Sequence, residues 1–535
     1  MLRDLEELRI EYCGIGVIVA KDQVSESVTP LLKFPRLTFL ELSSLENLRN
    51  FYPQKHTLEW PHLYRLSIRS CDELEIFEKE VSSSLEIHEE GSSLDSKYPL
   101  LSQCKVLLPK LEILRLSNLI GLIPLIWEDQ LSHNSFRNLK TLFVESCGFV
   151  KLVPLRVLKS LNNLEELEVR ECDTLELVFD FEDLNDYKEA ESSSVIVPLK
   201  KLTLCGLQKL KNVWSNHYKG DVSFPSLRSV HVSYCESLTS LFPASIAKGM
   251  LRDLEELRIE YCGMDVIVAK DQLSESVAPL LEFPKLTFLK LSSLKNLRSF
   301  YPQTHTLEWP HLYRLSIRSC DKLEIFEKEV SSSLEIHEEG SSLDSKYPLL
   351  SHGKVTYNLE KLTLMGKGAE VIGSGQLSMY CFPKVKVLYL HVGYDESKSI
   401  SYKLLKSFPN LEELRLRGHI KEALGGGDDA HLPIKLSLDE IYNITSLVPL
   451  LVSPPNLTHL HMVSCYELTT LMTSSVARSL VHLTSLSISN CDGIEEIIWK
   501  EEGEDDDDEE FVFSKLQHLK VERMPKIRSI LSWTH

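Results

Sequence analysis

The chain is 535 residues long, more than one hydrophobic core can hold, since single cores stop growing at roughly 250 to 300 residues. Its 43% hydrophobic and 26% charged residues are the mix of an ordered protein, which excludes a chain without a core. The net charge of -19 argues against generic binding to nucleic-acid phosphates, which needs a net basic footprint.

The opening residues, MLRDLEELRIEYC, lack the basic start, apolar centre and cleavage site of a secretory signal. No apolar run approaches the roughly 18 residues of a membrane span. The expected location is the cytoplasm, with the plasma-membrane periphery or the nucleus as variants. Within these opening residues a string begins that recurs along the whole chain, L-x-x-L-x-L/I/V-x-x-C/L. It runs first through Leu5, Leu8, Ile10 and Cys13, and then restarts at Leu37, Leu63, Leu111, Leu139, Leu164, Leu199, Leu227 and Leu254. Further copies start at Leu286, Leu312, Leu359, Val385, Leu411, Leu457, Leu483 and Leu516, with a degenerate one near Leu436.

The L-x-L centre of each string has a period of two, so both apolar side chains of a short strand point to one side. A single coil cannot bury them. Coils stacked with their strands parallel can, and they make one continuous core. The expected fold is therefore an α/β leucine-rich-repeat solenoid of about 17 to 18 repeats over 1–535. A parallel sheet would line the concave face of a horseshoe or superhelix, with irregular loops and short helices on the convex side.

Seven units open on an aromatic-Pro pair, at Phe34, Trp60, Phe224, Phe283, Trp309, Phe382 and Phe408. The proline stands just before the strand, where its missing N–H costs no ladder bond, and the ring is placed to fill the coil interior. The outer segments TSLFPASIAKGMLRDLEEL and TTLMTSSVARSLVHLTSL have near-helical apolar spacing and predict a turn or two of helix. Nine cysteines, Cys13, Cys71, Cys147, Cys172, Cys235, Cys262, Cys320, Cys465 and Cys491, share the slot three residues after the last strand hydrophobe. One such slot per coil makes a column inside the solenoid, where a thiol acts as a small hydrophobe and weak donor. Cys104, Cys205 and Cys381 fall outside it.

Oversized intervals mark excursions from the solenoid. The spans 78–104 and 327–353 carry nearly the same Ser- and Glu-rich passage, and 500–511 includes nine acids in EEGEDDDDEE; such polar stretches cannot be packed into a core. Similar excursions are expected at FEDLNDYKEAESSS and HIKEALGGGDDAH. Residues 1–106 are nearly identical to 250–355, so a block of repeats is duplicated. The strand leucines are the same in both copies, but charge reverses at Lys33/Glu282, Glu41/Lys290, Glu46/Lys295 and Glu73/Lys322. Met1 aligns with a position inside a coil, which suggests a fragment.

No sequence signature of catalysis is present. There is no G-x-x-x-x-G-K-[ST], G-x-S-x-G or H-E-x-x-H string, and MGKGAEVIGSGQ lies on an outer loop without a βαβ unit around it. Gly425 to Gly427, followed by two aspartates, lack the ligand spacing of a calcium loop. No catalytic residue, metal ligand or cofactor site is expected.

FPNLEELRL, LTSLSISNCDGIEEII and FSKLQHLKVERMPKI resemble the C-terminal repeats of plant nucleotide-binding leucine-rich-repeat disease-resistance proteins of the coiled-coil class. The continuation C-D-x-[IL]-E-x-[IF] after the strand, at Cys71 to Phe77 and Cys491 to Ile497, carries much of that likeness. The resemblance implies recognition of a pathogen effector or a guarded host protein in plant defence. It also implies contact with a nucleotide-binding domain in cis, and ADP or ATP would bind only if such a domain lies upstream. An F-box substrate receptor of a ubiquitin ligase, lacking its F-box, is the alternative.

Recognition would use side chains that flank or separate the strand hydrophobes. The candidates are Glu41, Arg65, Ser67, Arg69, Lys290, Arg314, Arg318, Arg415, Arg417, His459, His461 and Lys520. Reversing Arg415 and Arg417 to glutamate is expected to abolish partner binding without a loss of stability.

Overall fold

The computed structural model describes all residues except 1–2, 21–30, 55, 75–99, 101–107, 120–135, 182–194, 216–221, 271–279, 304, 327–347, 351–357, 375–381, 394–399, 401, 420–432, 443, 445–446, 448–455, 500–512 and 532–535. They form two compact units, one of Met1–Pro284 with Phe300–Thr306 and one of Lys285–Ser299 with Leu307–His535.

In the first unit every predicted string forms a five-residue strand. These are β1 (Glu7–Glu11), β2 (Phe39–Ser43), β3 (Arg65–Arg69), β4 (Ile113–Ser117), β5 (Thr141–Glu145), β6 (Glu166–Arg170), β7 (Lys201–Cys205), β8 (Ser229–Ser233) and β9 (Glu256–Glu260). Each pairs in parallel with the next, without a register slip. The second and fourth residues of each strand, such as Leu40 and Leu42 or Leu66 and Ile68, point inward and are fully buried from β2 on.

The duplicated strands show that stacking, not the coil itself, creates this burial. β1 and β9 have the same sequence, ELRIE, yet in β9 Leu257 and Ile259 are buried while Leu8 and Ile10 of β1 are only partly covered. β9 packs against the coil of β8 as well as its own surroundings, whereas β1 is paired with β2 alone. That is the nearest-neighbour energetics of a solenoid read from one chain.

A second row was not foreseen from the sequence. The residue after each of these nine strands, from Tyr12 through Ser44, Ser70, Asn118, Ser146, Glu171, Gly206 and Tyr234 to Tyr261, has a positive φ. The left-handed turn aims its N–H at the neighbouring coil, so Tyr12 donates to the Ser43 carbonyl, Ser44 to Arg69, Ser70 to Ser117 and Gly206 to Ser233, at 2.9 to 3.0 Å. Ser, Asn and Gly are frequent there because they tolerate that backbone. Asparagines before the strands tie coils together on the other side: Asn138 donates to the Pro109 carbonyl and Asn163 to that of Arg137.

The convex side is more ordered than the irregular loops expected of it. Leu31–Lys33 pairs with Thr57–Glu59, Lys151–Pro154 and Asn212–Trp214 flank Leu177–Asp180, and Val195–Ile196 pairs with Val222–Ser223, all in parallel. Apolar side chains on this second side, Leu32, Val153, Val178 and Val213 among them, close the core from behind. The helix predicted within TSLFPASIAKGMLRDLEEL is present at Ala244–Met250, entered from Pro243 in an extended conformation.

The second unit repeats the plan with β10 (Phe288–Ser292), β11 (Arg314–Arg318), β12 (Lys361–Met365), β13 (Val387–His391), β14 (Glu413–His419), β15 (Lys435–Tyr442), β16 (His459–Val463), β17 (Ser485–Ser489) and β18 (His518–Glu522). These also pair successively in parallel. The degenerate copy at Leu436 is thus a full repeat strand, its Leu436 and Leu438 both buried. The other predicted helix is Ser474–Ser479, and Thr473 caps it by accepting from the Val476 N–H. A three-stranded parallel sheet of Thr470–Thr473, Glu496–Trp499 and Ser529–Leu531 backs the last coils.

The aromatic rings of all seven aromatic-Pro pairs are buried. They pack on rings of neighbouring coils, as Phe34 does edge-on to Phe51 (5.8 Å) and Phe382 does face-to-face with Phe408 (5.1 Å). The expected excursions lie largely outside the described residues. Inside their spans, however, Leu100, Leu349 and Leu350 are buried, and Leu349 and Leu350 donate to the Glu324 and Ile325 carbonyls. Leu100, Leu349 and Leu350 therefore belong to the core.

Eight of the nine column cysteines are buried, and Cys13 is exposed. Every one donates its thiol to the carbonyl two residues back, as Cys71 does to Arg69 (3.3 Å), Cys172 to Arg170 (3.3 Å) and Cys320 to Arg318 (3.3 Å). Burial pushes the Cys147 thiol up to about 11 and those of Cys172 and Cys320 to about 12. Since the thiolate is the reactive form, iodoacetamide is expected to label Cys13 in the native protein and to spare Cys71, Cys147, Cys172 and Cys320 until denaturant is added. Peptide mass spectrometry reads the result site by site. Fast native labelling of Cys172 would contradict the column.

Candidate recognition face

The first, third and fifth residues of each strand point away from the core, so each unit presents three rows of side chains on its sheet. Register fixes the neighbours. In the first unit the middle row reads Arg9, Glu41, Ser67, Arg115, Phe143, Glu168, Thr203, His231 and Arg258. In the second it reads Lys290, Ser316, Thr363, Tyr389, Arg415, Ser437, His461, Ser487 and Lys520.

All twelve candidates stand in these rows. Glu41, Ser67, Lys290, Arg415, His461 and Lys520 are in the middle row, Arg65, Arg314 and His459 in the first, and Arg69, Arg318 and Arg417 in the last. They differ in how free their side chains are. Ser67 is buried, and Glu41 lies 3.8 Å from Arg9 of the preceding strand. Lys520 pairs with Glu522 at 3.1 Å, and the His459 ring meets the Thr458 hydroxyl at 2.8 Å.

Arg415 and Arg417 are more constrained than sequence reasoning allowed. Arg415 is held by Glu413 at 2.5 Å. Arg417 pairs with Glu440 and lies 3.9 Å from Asp439 on the next strand. Reversing Arg417 would set three carboxylates together, so that change acts on stability as well as on the surface, which corrects the expectation of an unchanged fold. Burial, followed by the Arg417 charge, holds the neighbouring His391 below its usual pKa.

Guanidinium groups lie over rings of adjacent strands. Arg9 is 4.6 Å and Arg65 5.2 Å from the Phe39 centroid, Arg115 is 5.2 Å from that of Phe143, and Arg314 is 4.8 Å from that of Phe288. Lys361, beside Arg314 in register, lies over Tyr313 at 5.6 Å. Arg9, Arg115, Phe143, Lys361 and Tyr389 are thus row residues that sequence reasoning left out. Their positions in the L-x-L strings would have identified them.

On β10 to β13 the three rows carry Lys290, Arg314, Arg318 and Lys361 and no carboxylate. At the matching place in the first copy Glu41 stands where Lys290 stands in the second. A second reversal changes the pairing outside the strands. Arg49 lies 3.8 Å from Glu73, whereas Lys322, at the Glu73 position of the second copy, binds the Asn296 side chain at 3.1 Å.

Among the described residues no group of three or more His, Cys, Asp or Glu side chains is placed to hold a metal ion. No helix among them is long and apolar enough to cross a membrane.

Residues 103–263 and 436–535 match the family described as plant disease resistance protein RPS2-like, leucine-rich repeats. The matched stretches make up just under half of the chain. No curated protein is matched by the sequence as a whole. Among solved structures the chain is similar to the mouse RP105/MD-1 complex, with 14% identity, 98% of this chain and 84% of that one covered, and a TM-score of 0.34. It is also similar to CroV588, a circular leucine-rich-repeat protein, at 12% identity, 92% and 79% coverage and a TM-score of 0.28. A plant peptide hormone receptor, RGFR1 with RGF2, aligns at 13% identity, 90% and 81% coverage and a TM-score of 0.19.

Proposed function

We propose that this chain is the protein-recognition module of a plant immune receptor, binding a pathogen effector or a guarded host protein through the strand rows during defence. It performs no catalysis and holds no cofactor of its own; ADP or ATP would belong to a nucleotide-binding domain elsewhere in the receptor. The proposed site of action is the cytoplasm.

One observation carries the reading. Between the duplicated copies the inward-facing apolar residues of each strand are identical, while a row residue, Glu41 in one copy and Lys290 in the other, has reversed its charge. A constant frame with exchangeable outward side chains is the physical requirement for a surface whose specificity can change without refolding. Mixed charge in the rows suits partner discrimination and encounter rate more than raw affinity. Repeat solenoids use such extended faces for binding, and the RPS2-like repeats at 103–263 and 436–535 point to disease resistance as the setting.

The test is a pairwise screen of the full chain against secreted proteins of plant pathogens and host proteins they modify. A binder is then measured against Arg314→Glu, Lys361→Glu and His461→Glu on the rows and against Lys209→Glu, exposed in the turn after β7 and off the rows. At least one row substitution is expected to weaken binding by about tenfold or more, as truncated interface anchors do, with the unfolding temperature unchanged. Binding that survives all three and is lost in Lys209→Glu would overturn the reading.

A further inference from the structure

The left-handed row of the first unit continues through Glu171, Gly206, Tyr234 and Tyr261 on four successive coils. The rings of Tyr234 and Tyr261 stack 4.7 Å apart and 2° from parallel, although they are 50% and 46% exposed. Tyr261 covers one face of Tyr234, so exposure of this size leaves the other face open. That face is directed along the row to the coil of Gly206, which has no side chain to fill the place. On the far side, the Glu171 side chain leans over the glycine, its Cγ 3.3 Å from where a Cβ on Gly206 would stand.

The result is a slot one coil wide, floored by a glycine and walled by a phenol ring and a carboxylate. Arg170, the strand residue before Glu171, is taken up by Glu168. The chain itself shows what such a step between coils accommodates, because Arg9, Arg65 and Arg115 each lay a guanidinium over the ring of an adjacent strand at 4.6 to 5.2 Å.

We infer that this slot receives an arginine side chain of the protein partner, with its guanidinium stacked on Tyr234 above Gly206 and paired with Glu171. The inference rests on the protein-recognition reading and names one anchor that the partner carries. A lysine ammonium reaches the same carboxylate but has no plane to lay against the ring.

The full chain is titrated with two synthetic probes of equal length and charge, a Gly-Arg repeat peptide and a Gly-Lys repeat peptide, at physiological salt. The arginine peptide is expected to bind roughly fivefold more tightly, the scale of an exposed cation–π contact with an added ion pair. Tyr234→Asn removes the ring and Gly206→Asn fills the slot, and asparagine tolerates the left-handed backbone at both places. Each is expected to abolish the preference. Glu171→Gln is expected to weaken both peptides.

Equal affinity for the two probes, binding of neither, or a preference that survives Tyr234→Asn would sink the slot. Should Gly206→Asn fail to fold, Tyr234→Asn decides alone. The broader reading fails separately: if the row substitutions leave partner binding intact while the arginine preference holds, the slot stands and the row surface does not.

Discussion

Replacing Gly263 by alanine is expected to destabilise the first unit by about 3 kcal/mol, at or above the upper end of overpacking costs. The matching change at Gly14 is expected to be nearly silent. The two glycines occupy the same place in the duplicated blocks, each directly after a column cysteine. A Cβ on Gly263 would stand 1.8 Å from the Glu236 carbonyl oxygen and 2.9 Å from its carbon. These are backbone atoms of the neighbouring coil, which cannot turn aside as a flexible side chain could. That coil is held in place by Gly263 itself, whose N–H donates to the Cys235 carbonyl, and by Asp265, whose N–H donates to Thr239. At Gly14 the nearest atom to a new Cβ is the Asn47 side-chain nitrogen at 3.9 Å, an ordinary contact. Because stacked repeats do not always unfold in one step, hydrogen exchange over β8 and β9 is the decisive measurement, supported by denaturant titration. Equal losses in the two variants would show that the coils do not approach as closely as described.

The second large effect is expected at Trp214. Its indole lies stacked on Phe179 (4.6 Å, 10°) and edge-on to Phe224 (4.9 Å), while its Nε1 donates to the Leu241 carbonyl at 3.0 Å. Trp214→Ala removes the centre of this cluster and is expected to cost about 3–5 kcal/mol. Trp214→Phe keeps most of the packing but leaves the Leu241 carbonyl without its donor, for an expected loss of about 1–3 kcal/mol. Trp60 is the control. It is equally buried, but its Nε1 has no hydrogen-bond partner among the described residues, so Trp60→Phe gives up no bond seen there and is expected to lie within about 1 kcal/mol of the parent protein. Chemical denaturation of the four proteins gives the comparison. A larger loss in Trp60→Phe than in Trp214→Phe would reverse the assignment of the two indoles.

Much of this architecture was legible from one repeated string. The L-x-L centres located seventeen strands and flagged the eighteenth near Leu436, where Pro433 replaces the usual leading leucine and no cysteine follows. The cysteine slot and the aromatic-Pro openings were legible for the same reason, since a feature repeated once per coil lands in one column. The outer sheets were not, because segments such as Leu31–Lys33 or Val195–Ile196 are too short to show a period. The left-handed row was visible in composition, as Ser44, Ser70, Asn118 and Ser146, but without the backbone these read as ordinary turn residues. The restraint on Arg417 was hidden more deeply. Its partner Glu440 reaches it from a residue with positive φ beyond a register shift between β14 and β15, and alternation in sequence carries no information about such a shift. Likewise the Tyr234–Tyr261 stack joins residues 27 positions apart, a pairing that only the registration of whole coils brings about.

The row of left-handed residues bears on how this chain could change length. In the first unit the left-handed residue of each coil from Tyr12 to Tyr234 offers its main-chain N–H to the coil ahead, and what accepts it is the carbonyl of the last strand residue, whether that is Ser43, Arg69, Cys205 or Glu260. The joint between neighbours is therefore written in backbone atoms and is indifferent to the residues on either side. A whole number of coils can be spliced in at any of these joints with donors and acceptors still matched, whereas a fraction of a coil would strand them. The block shared by 1–106 and 250–355 obeys that arithmetic. Recombination could accordingly treat the complete coil as an exchangeable token, lengthening the array or shuffling its outward residues with no new hydrogen-bonding problem to solve.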